Sequence, residues 1–114
     1  MPHCIIEYSK NLEQTLSIKE LVCAVQGYVF SSGLFDESSI KTRAIEYKHF
    51  QTGLSDMPFI HITLKILHGR NHQQKKDLST LVLDNLRTDI QPPISISVEV
   101  SDIEKVSYKK LVIE

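Results

Sequence analysis

The clearest strand signal in this chain is the run Pro58-Phe59-Ile60-His61-Ile62-Thr63-Leu64-Lys65-Ile66. β-Branched residues recur along it, and such residues suit a pleated, half-buried strand. The turn His68-Gly69-Arg70 follows, and Asn71 can then cap a helix that has Gln74 at its third position. Beyond the helix, residues 94–100 alternate between apolar and polar side chains as a second strand does. This half therefore predicts a βαβ unit with parallel strands and a right-handed crossover.

The same pattern stands earlier in the chain. Pro2-His3-Cys4-Ile5-Ile6-Glu7-Tyr8 predicts a strand. Ser17 and Glu20 form a capping-box pattern, and helical spacing of apolar residues continues to about Ser31. Residues 40–47 then return to strand character. The two halves are offset by a nearly constant 56 or 57 residues, so the sequence contains a repeat.

Two such units predict a two-layer α/β (α+β) fold, with a mostly four-stranded sheet and two helices on one of its faces. We expect one domain over residues 1–114, made of pseudo-repeats at about 2–47 and 58–100 and a C-terminal tail. Apolar residues are so frequent in these strands that we also expect the second sheet face to be covered by self-association. The tail, residues 108–113, could add a short strand or pair with another subunit.

Composition narrows the function classes. The chain has 114 residues, of which 41% are hydrophobic and 24% charged, and its net charge is −1. These values match ordinary soluble domains and give no basic footprint for nucleic acid or for a membrane surface. The N-terminus lacks the pattern of a signal peptide. Cys4 and Cys23 lie in apolar segments, which predicts two buried thiols in a reducing, cytoplasmic setting.

Pro2 is the candidate for chemistry at the N-terminus. If Met1 is removed, Pro2 begins the chain with a secondary amine, which is a base that an internal proline is not. Pro58 occupies the matching position of the second unit but is locked inside the chain. The alternative is that Pro2 simply starts a strand.

The order and spacing of several segments resemble the tautomerase superfamily. The second half is similar to the short 4-oxalocrotonate tautomerase subunit. The whole chain is more similar to the longer 5-carboxymethyl-2-hydroxymuconate isomerases, and the likeness covers nearly all of residues 2–100. The segments that carry it are Pro2-His3-Cys4-Ile5-Ile6-Glu7, Ser32-Gly33-Leu34-Phe35, Ile40-Lys41-Thr42-Arg43, and the strand from Phe59 to Ile66 with Gly69-Arg70.

The resemblance implies a homotrimer with active sites near subunit boundaries. It also implies proton transfer without a metal or an organic cofactor, on an unsaturated di- or tricarboxylic acid in the bacterial breakdown of homoprotocatechuate, an aromatic compound. Neither a nucleic acid nor a membrane is implied as a partner. The leading hypothesis is therefore an isomerase; the alternatives are a keto–enol tautomerase with a different substrate, or a non-catalytic trimeric binding protein on the same scaffold.

The resemblance assigns roles to four residues. Pro2 is expected to be the general base, and Arg70 to bind a substrate carboxylate or stabilise developing charge. Lys41 and Arg43 share one strand face and could bind substrate; the family typically has arginine at the position of Lys41. Lysine keeps the charge but not the planar fork, which Arg43 could supply instead.

Two further groups of residues are candidates for the site. Phe35, Phe50 and Phe59 could form an apolar wall that lowers the pKa of the base, although core packing would also explain them. His68 and His72 have a spacing that can bring two imidazoles together, but the sequence offers no third metal ligand.

Overall fold

The computed structural model describes residues 1–114 and confirms the predicted fold. A four-stranded mixed sheet has the order β2-β1-β3-β4. β1 is parallel to β2, β3 is parallel to β4, and the two pairs meet through antiparallel β1 and β3. The elements are β1 (His3–Ser9), α1 (Ile18–Ser31), β2 (Lys41–Tyr47), β3 (Phe59–Leu67), α2 (His72–Asp89) and β4 (Ser95–Ile103), with short 3₁₀ turns at Lys10–Gln14 and Glu37–Ser39.

Both helices begin where the sequence predicts. The Ser17 side chain accepts a hydrogen bond from the backbone N–H of Glu20 at 3.3 Å. Asn71 and Gln74 form a full capping box, since each side chain accepts from the other residue's backbone N–H, at 2.8 and 3.0 Å. These bonds satisfy amides that the first turn of a helix leaves without partners.

The core lies between the sheet and the two helices. The predicted alternation of β1 is confirmed, because Pro2, Cys4, Ile6 and Tyr8 are all buried. β3 contributes alternate residues in the same way, and both helices add their apolar stripes. The fully buried members from β3 and the helices are Ile60, Ile62, Leu64, Ile66, Val25, Val29, Leu78, Val82 and Leu86.

The outer sheet face is a mixture of polar and apolar side chains. The fully buried apolar side chains of the strands point toward the helices. The other face carries charged or polar residues such as His3, Arg43 and Glu99, mixed with apolar ones such as Ile5 and Leu67. Ile45 also lies on this face, with 54% of its surface exposed. Covering of this face by self-association stays a prediction.

The C-terminal tail does not add a strand to this sheet. After β4 ends at Ile103, a single turn closes with the N–H of Tyr108 donating to the carbonyl of Glu104 at 3.2 Å. Leu111, Val112 and Ile113 then lie exposed. Pairing of the tail with another subunit stays a prediction.

The cysteines differ from each other in burial. Cys4 is buried as predicted, and burial raises the pKa of its thiol to about 11. The prediction for Cys23 is wrong, because it lies on the exposed side of α1. No helix combines the length and the hydropathy that crossing a membrane would require.

Candidate functional site

A cavity of about 360 Å³ opens where β1 begins and β3 ends. Because the two strands are antiparallel, the start of β1 and the end of β3 lie at the same end of the sheet. Four segments line the cavity: the N-terminal Met1, the connection from Leu34 to Ser39, the turn from Leu67 to Arg70, and Lys105 beyond β4.

The amino terminus is fixed in this cavity by the connection before β2. The Met1 ammonium donates to the carbonyl of Ser39 at 2.8 Å, and the Ser39 hydroxyl donates to the carbonyl of Met1 at 2.9 Å. Pro2, next in the chain after the cavity-lining Met1, is fully buried and is not itself a lining residue. Its carbonyl accepts from the backbone N–H of Lys41 at 3.0 Å.

The surroundings favour the neutral form of an amine at this position. Burial is the main cause that lowers the pKa of the Met1 ammonium below its ordinary value of 8.0, and the positive charges of Lys110 and Lys41 lower this pKa further. Loss of hydration and nearby cations both destabilise an ammonium ion. An amine here is therefore a base at a lower pH than a free chain end.

Arg70 lies in the same cavity and holds one of its walls. Its Nη2 donates to the carbonyl of Leu34 at 2.7 Å, and its Cζ lies 5.4 Å from the centre of the Phe35 ring. Gly69 makes the turn that brings Arg70 here. Its backbone has φ +135°, a conformation that residues with a side chain rarely adopt. No carboxylate lies within 4.0 Å of the guanidinium, so its charge is available to a bound anion.

Of the three phenylalanines considered as an apolar wall, only Phe35 lines the cavity. Phe50 and Phe59 pack against each other with ring centres 5.8 Å apart. They lie at the opposite end of the sheet, because Phe59 starts β3 where β1 ends. The N–H of Phe59 donates to the hydroxyl of Ser9, the last residue of β1, at 3.0 Å.

Lys41 and Arg43 lie outside the cavity lining, on the outer side of the sheet. Lys41 is at the rim, where its Nζ is 3.5 Å from the same Ser39 carbonyl that binds the amino terminus. Arg43 lies further along β2, and its Nη1 is 3.1 Å from Nδ1 of His3. Lys41 is thus the one of the pair that stands next to the chain end.

Sequence reasoning missed Ser39 and Lys105. Ser39 ends a 3₁₀ turn, Glu37–Ser39, that carries no strong local signal. Lys105 could not be placed because β4 continues three residues beyond the predicted end at Val100, to Ile103. That extra length carries Lys105 to the cavity.

His68 is at the cavity mouth, but His72 is not among its lining residues. The Nδ1 of His68 is 3.6 Å from a carboxylate oxygen of Asp102, and the Lys75 ammonium is 3.1 Å from the same oxygen. Lys75, first, and His68 hold the pKa of the Asp102 carboxyl below its usual range. No three His, Cys, Asp or Glu side chains are grouped closely enough to hold a metal ion.

Comparison with known proteins identifies the family. Residues 2–114 match the family described as 5-carboxymethyl-2-hydroxymuconate isomerase. The chain belongs to this family, within the tautomerase superfamily. The family predicted from the sequence is confirmed, and so is the broader assignment of the chain to a family of isomerases.

Individual relatives agree with this membership. The chain is 26% identical over 90 residues to the 5-carboxymethyl-2-hydroxymuconate Delta-isomerase of Escherichia coli, covering 77% of this chain and 71% of the relative. A solved 5-carboxymethyl-2-hydroxymuconate isomerase from Deinococcus radiodurans R1 superposes with a TM-score of 0.81 at 24% identity, over 96% of this chain and 88% of that one. A macrophage migration inhibitory factor from Trichinella spiralis shares the fold, with a TM-score of 0.72, 14% identity and 95% of each chain covered.

Proposed function

We propose that this protein, once Met1 is removed, is a cofactor-independent isomerase in which Pro2 is the general base. The observation that carries the proposal is the position of the amino terminus. It lies in a cavity that lowers the pKa of a chain-end amine, and the cavity also contains an arginine without a carboxylate partner. A base and a cation side by side suit the removal of a proton from an acidic substrate.

The proton moves within the substrate, and no atom is gained or lost. The neutral Pro2 amine takes a proton from an enol hydroxyl or a carbon, which leaves an ammonium and a conjugated dienolate. The ammonium then returns the proton to another position of the conjugated system. Arg70 binds a carboxylate of the substrate and stabilises the negative charge that develops on the dienolate.

Lys41 and Arg43 have separate roles in this proposal. Lys41, at the rim next to the chain end, attracts the anionic substrate and helps to keep the Pro2 amine neutral. Arg43 is engaged with His3 and would reach a substrate only by leaving that contact. We therefore place Lys41 ahead of Arg43 as a substrate-binding residue.

The substrate that fits best is 5-carboxymethyl-2-hydroxymuconate. Family membership and the named activity of the Escherichia coli relative support this choice. The exposed cations near the cavity, Lys41 and Lys105, suit an acid with several carboxylates. This activity would place the protein in the breakdown of homoprotocatechuate, as the sequence resemblance implies.

We also propose that the functional form is a homotrimer of single-domain subunits. β2 and β4 are unpaired edge strands, and exposed apolar side chains lie on β2 at Ile45 and on the tail at Leu111 and Ile113. Such edges and patches favour association. A protein of the same fold, at 16% identity with a TM-score of 0.69, is described as a fused 4-OT symmetric trimer. Sedimentation as a stable monomer would contradict this assembly.

The test is an absorbance assay of 5-carboxymethyl-2-hydroxymuconate and of simple enols, using protein whose Met1 has been shown by mass spectrometry to be absent. Pro2→Ala should reduce turnover about a hundredfold, the order expected for a positioned general base, while leaving the assembly unchanged. Protein that retains Met1 is the matched control and should be inactive, since its Pro2 nitrogen is an amide. Full activity of either protein would refute Pro2 as the base and favour a binding role.

A further inference from the structure

The C-terminal tail turns back onto the site immediately after β4. The bond from the N–H of Tyr108 to the carbonyl of Glu104 closes the turn. The turn places Lys105 in the lining of the cavity with Arg70. Lys110, further along the tail, lies close enough to the amino terminus for its charge to act there.

Lys105 differs from lysines elsewhere in the structure that have carboxylate partners. Lys10 is 2.9 Å from Glu13, and Lys75 is 3.1 Å from Asp102. The ammonium of Lys105 has no carboxylate within 4.0 Å, although the exposed acid Asp36 also lines the cavity. Its charge therefore remains available to a bound anion.

Arg70 alone can hold only part of a dianion. One of its nitrogens is bonded to the carbonyl of Leu34, and its plane lies by the Phe35 ring. The remaining donors suit one carboxylate. A second carboxylate in this cavity needs a second cation, and Lys105 is the lysine that lines it.

We propose that Lys105 binds the second carboxylate of a dianionic substrate while Arg70 binds the first, and that Tyr108 positions Lys105 by anchoring the tail to His3. The part that concerns catalysis rests on the proposed function above; the binding of a dianion does not. The ligand class is a planar, unsaturated dicarboxylate, and the cavity of about 360 Å³ suits a small one.

The anchor is a short chain of hydrogen bonds on the outer face of β1. Arg43 can only donate, so Nδ1 of His3 accepts its hydrogen at 3.1 Å and the ring proton is on Nε2. That Nε2–H donates to the Tyr108 hydroxyl at 3.1 Å, and the two rings meet edge to face with centres 6.1 Å apart. Arg43 thus takes part in holding the tail.

Calorimetry with two non-reacting acids tests the proposal. Muconate is a six-carbon chain with two conjugated double bonds whose two terminal carbons are carboxylates, and sorbate has a methyl group in place of one of these carboxylates. The intact Met1-free protein should prefer muconate. Lys105→Ala should weaken muconate about tenfold, the order expected for one charge-assisted contact, and leave sorbate unchanged. Lys105→Arg should restore muconate binding.

Lys109→Ala is the matched control, since Lys109 is an exposed lysine of the same tail outside the cavity lining, and it should change neither ligand. Tyr108→Phe should lower the preference for muconate over sorbate without lowering the melting temperature by more than a few degrees. The proposal is overturned if the starting protein shows no preference for muconate, or if Lys105→Ala weakens both acids equally or neither.

Turnover measurements separate this proposal from the proposed function. Pro2→Ala should reduce turnover about a hundredfold and keep the preference for muconate. If no variant turns over any enol and the preference still depends on Lys105, the isomerase proposal fails and the dicarboxylate site stands. If turnover depends on Pro2 and the preference does not depend on Lys105, the site assignment alone fails.

Discussion

Replacing Arg70 with alanine should lower both stability and carboxylate binding, because this residue contacts the protein itself as well as the cavity. In the free protein the change removes a charged donor at 2.7 Å from the Leu34 carbonyl and a cation 5.4 Å from the Phe35 ring. For a half-buried arginine, the bond contributes about 1 kcal/mol and the ring contact about 0.5–1 kcal/mol. We expect a free energy of unfolding lower by about 2 kcal/mol.

For a chain of 114 residues, this loss corresponds to a melting temperature lower by about 8 °C. With a monocarboxylate enol as substrate, loss of one charged contact of about 1.5–3 kcal/mol should reduce kcat/KM by about ten- to a hundredfold. Thermal unfolding followed by circular dichroism measures the first quantity, and the absorbance assay measures the second.

A double-mutant cycle isolates the contact with the ring. Phe35→Leu should lower stability in the starting protein, and part of that loss should disappear in the Arg70→Ala background because the cation is already absent. Arg87→Ala is the control of the same residue type: Arg87 is exposed in the last turn of α2 and makes no ion pair. If Arg70→Ala unfolded at the same temperature as the starting protein, the assigned wall contact would be wrong.

Three further predictions concern pH and helix capping. The acid limb of kcat/KM should lie below the pKa of a free N-terminal proline, because burial, first, and nearby cations lower the pKa of the Met1 ammonium at this chain end; Lys110→Ala removes one such cation and should move the limb to higher pH, as pH–rate profiles would show. Burial, first, and the charge of Arg43 lower the pKa of His3 below 6.5, so the unfolded chain binds more protons as the pH falls through 6.5. Stability should then decrease below that pH, and His3→Gln should flatten the dependence in urea titrations at pH 5.5 and 7.5; an unchanged slope would contradict it. Asn71→Ala removes the cap of α2 and should lower stability by about 1 kcal/mol, whereas Asn71→Asp should retain most of it in the same denaturation assay.

The sequence was sufficient for the fold because the local signals agree with one another. Helix starts at Ser17 and Asn71 are fixed by side-chain caps, and the strands by alternation, both of which can be read from neighbouring residues. The number of apolar residues in a strand, in contrast, does not reveal which face they share. It also does not show what covers the outer face of the sheet, so self-association through that face stays a prediction.

The site was less predictable because distant segments form it. The resemblance singled out Pro2 and Arg70, which the structure places at the same end of the sheet. It could not show that Phe35 lines the cavity and Phe59 does not, because that requires knowing at which end of the sheet β3 begins. Lys105 depends on the true end of β4 and on a turn closed by backbone hydrogen bonding, neither of which is visible in composition or periodicity.

The antiparallel contact between β1 and β3 has a consequence for how this protein can change over generations. It places Pro2 and Pro58, which each precede a strand, at opposite ends of the sheet. The two repeated units therefore have geometrically similar positions, but only one of these positions is at the chain end. Pro58, beside the packed Phe50 and Phe59, has no amine to contribute. Under the proposed function, the end of the sheet with Pro58 is free to accumulate substitutions that favour packing, while selection for chemistry acts on the end with Pro2. Engineering can use the same separation by stabilising the end of the sheet with Pro58 and changing specificity at the end with Pro2.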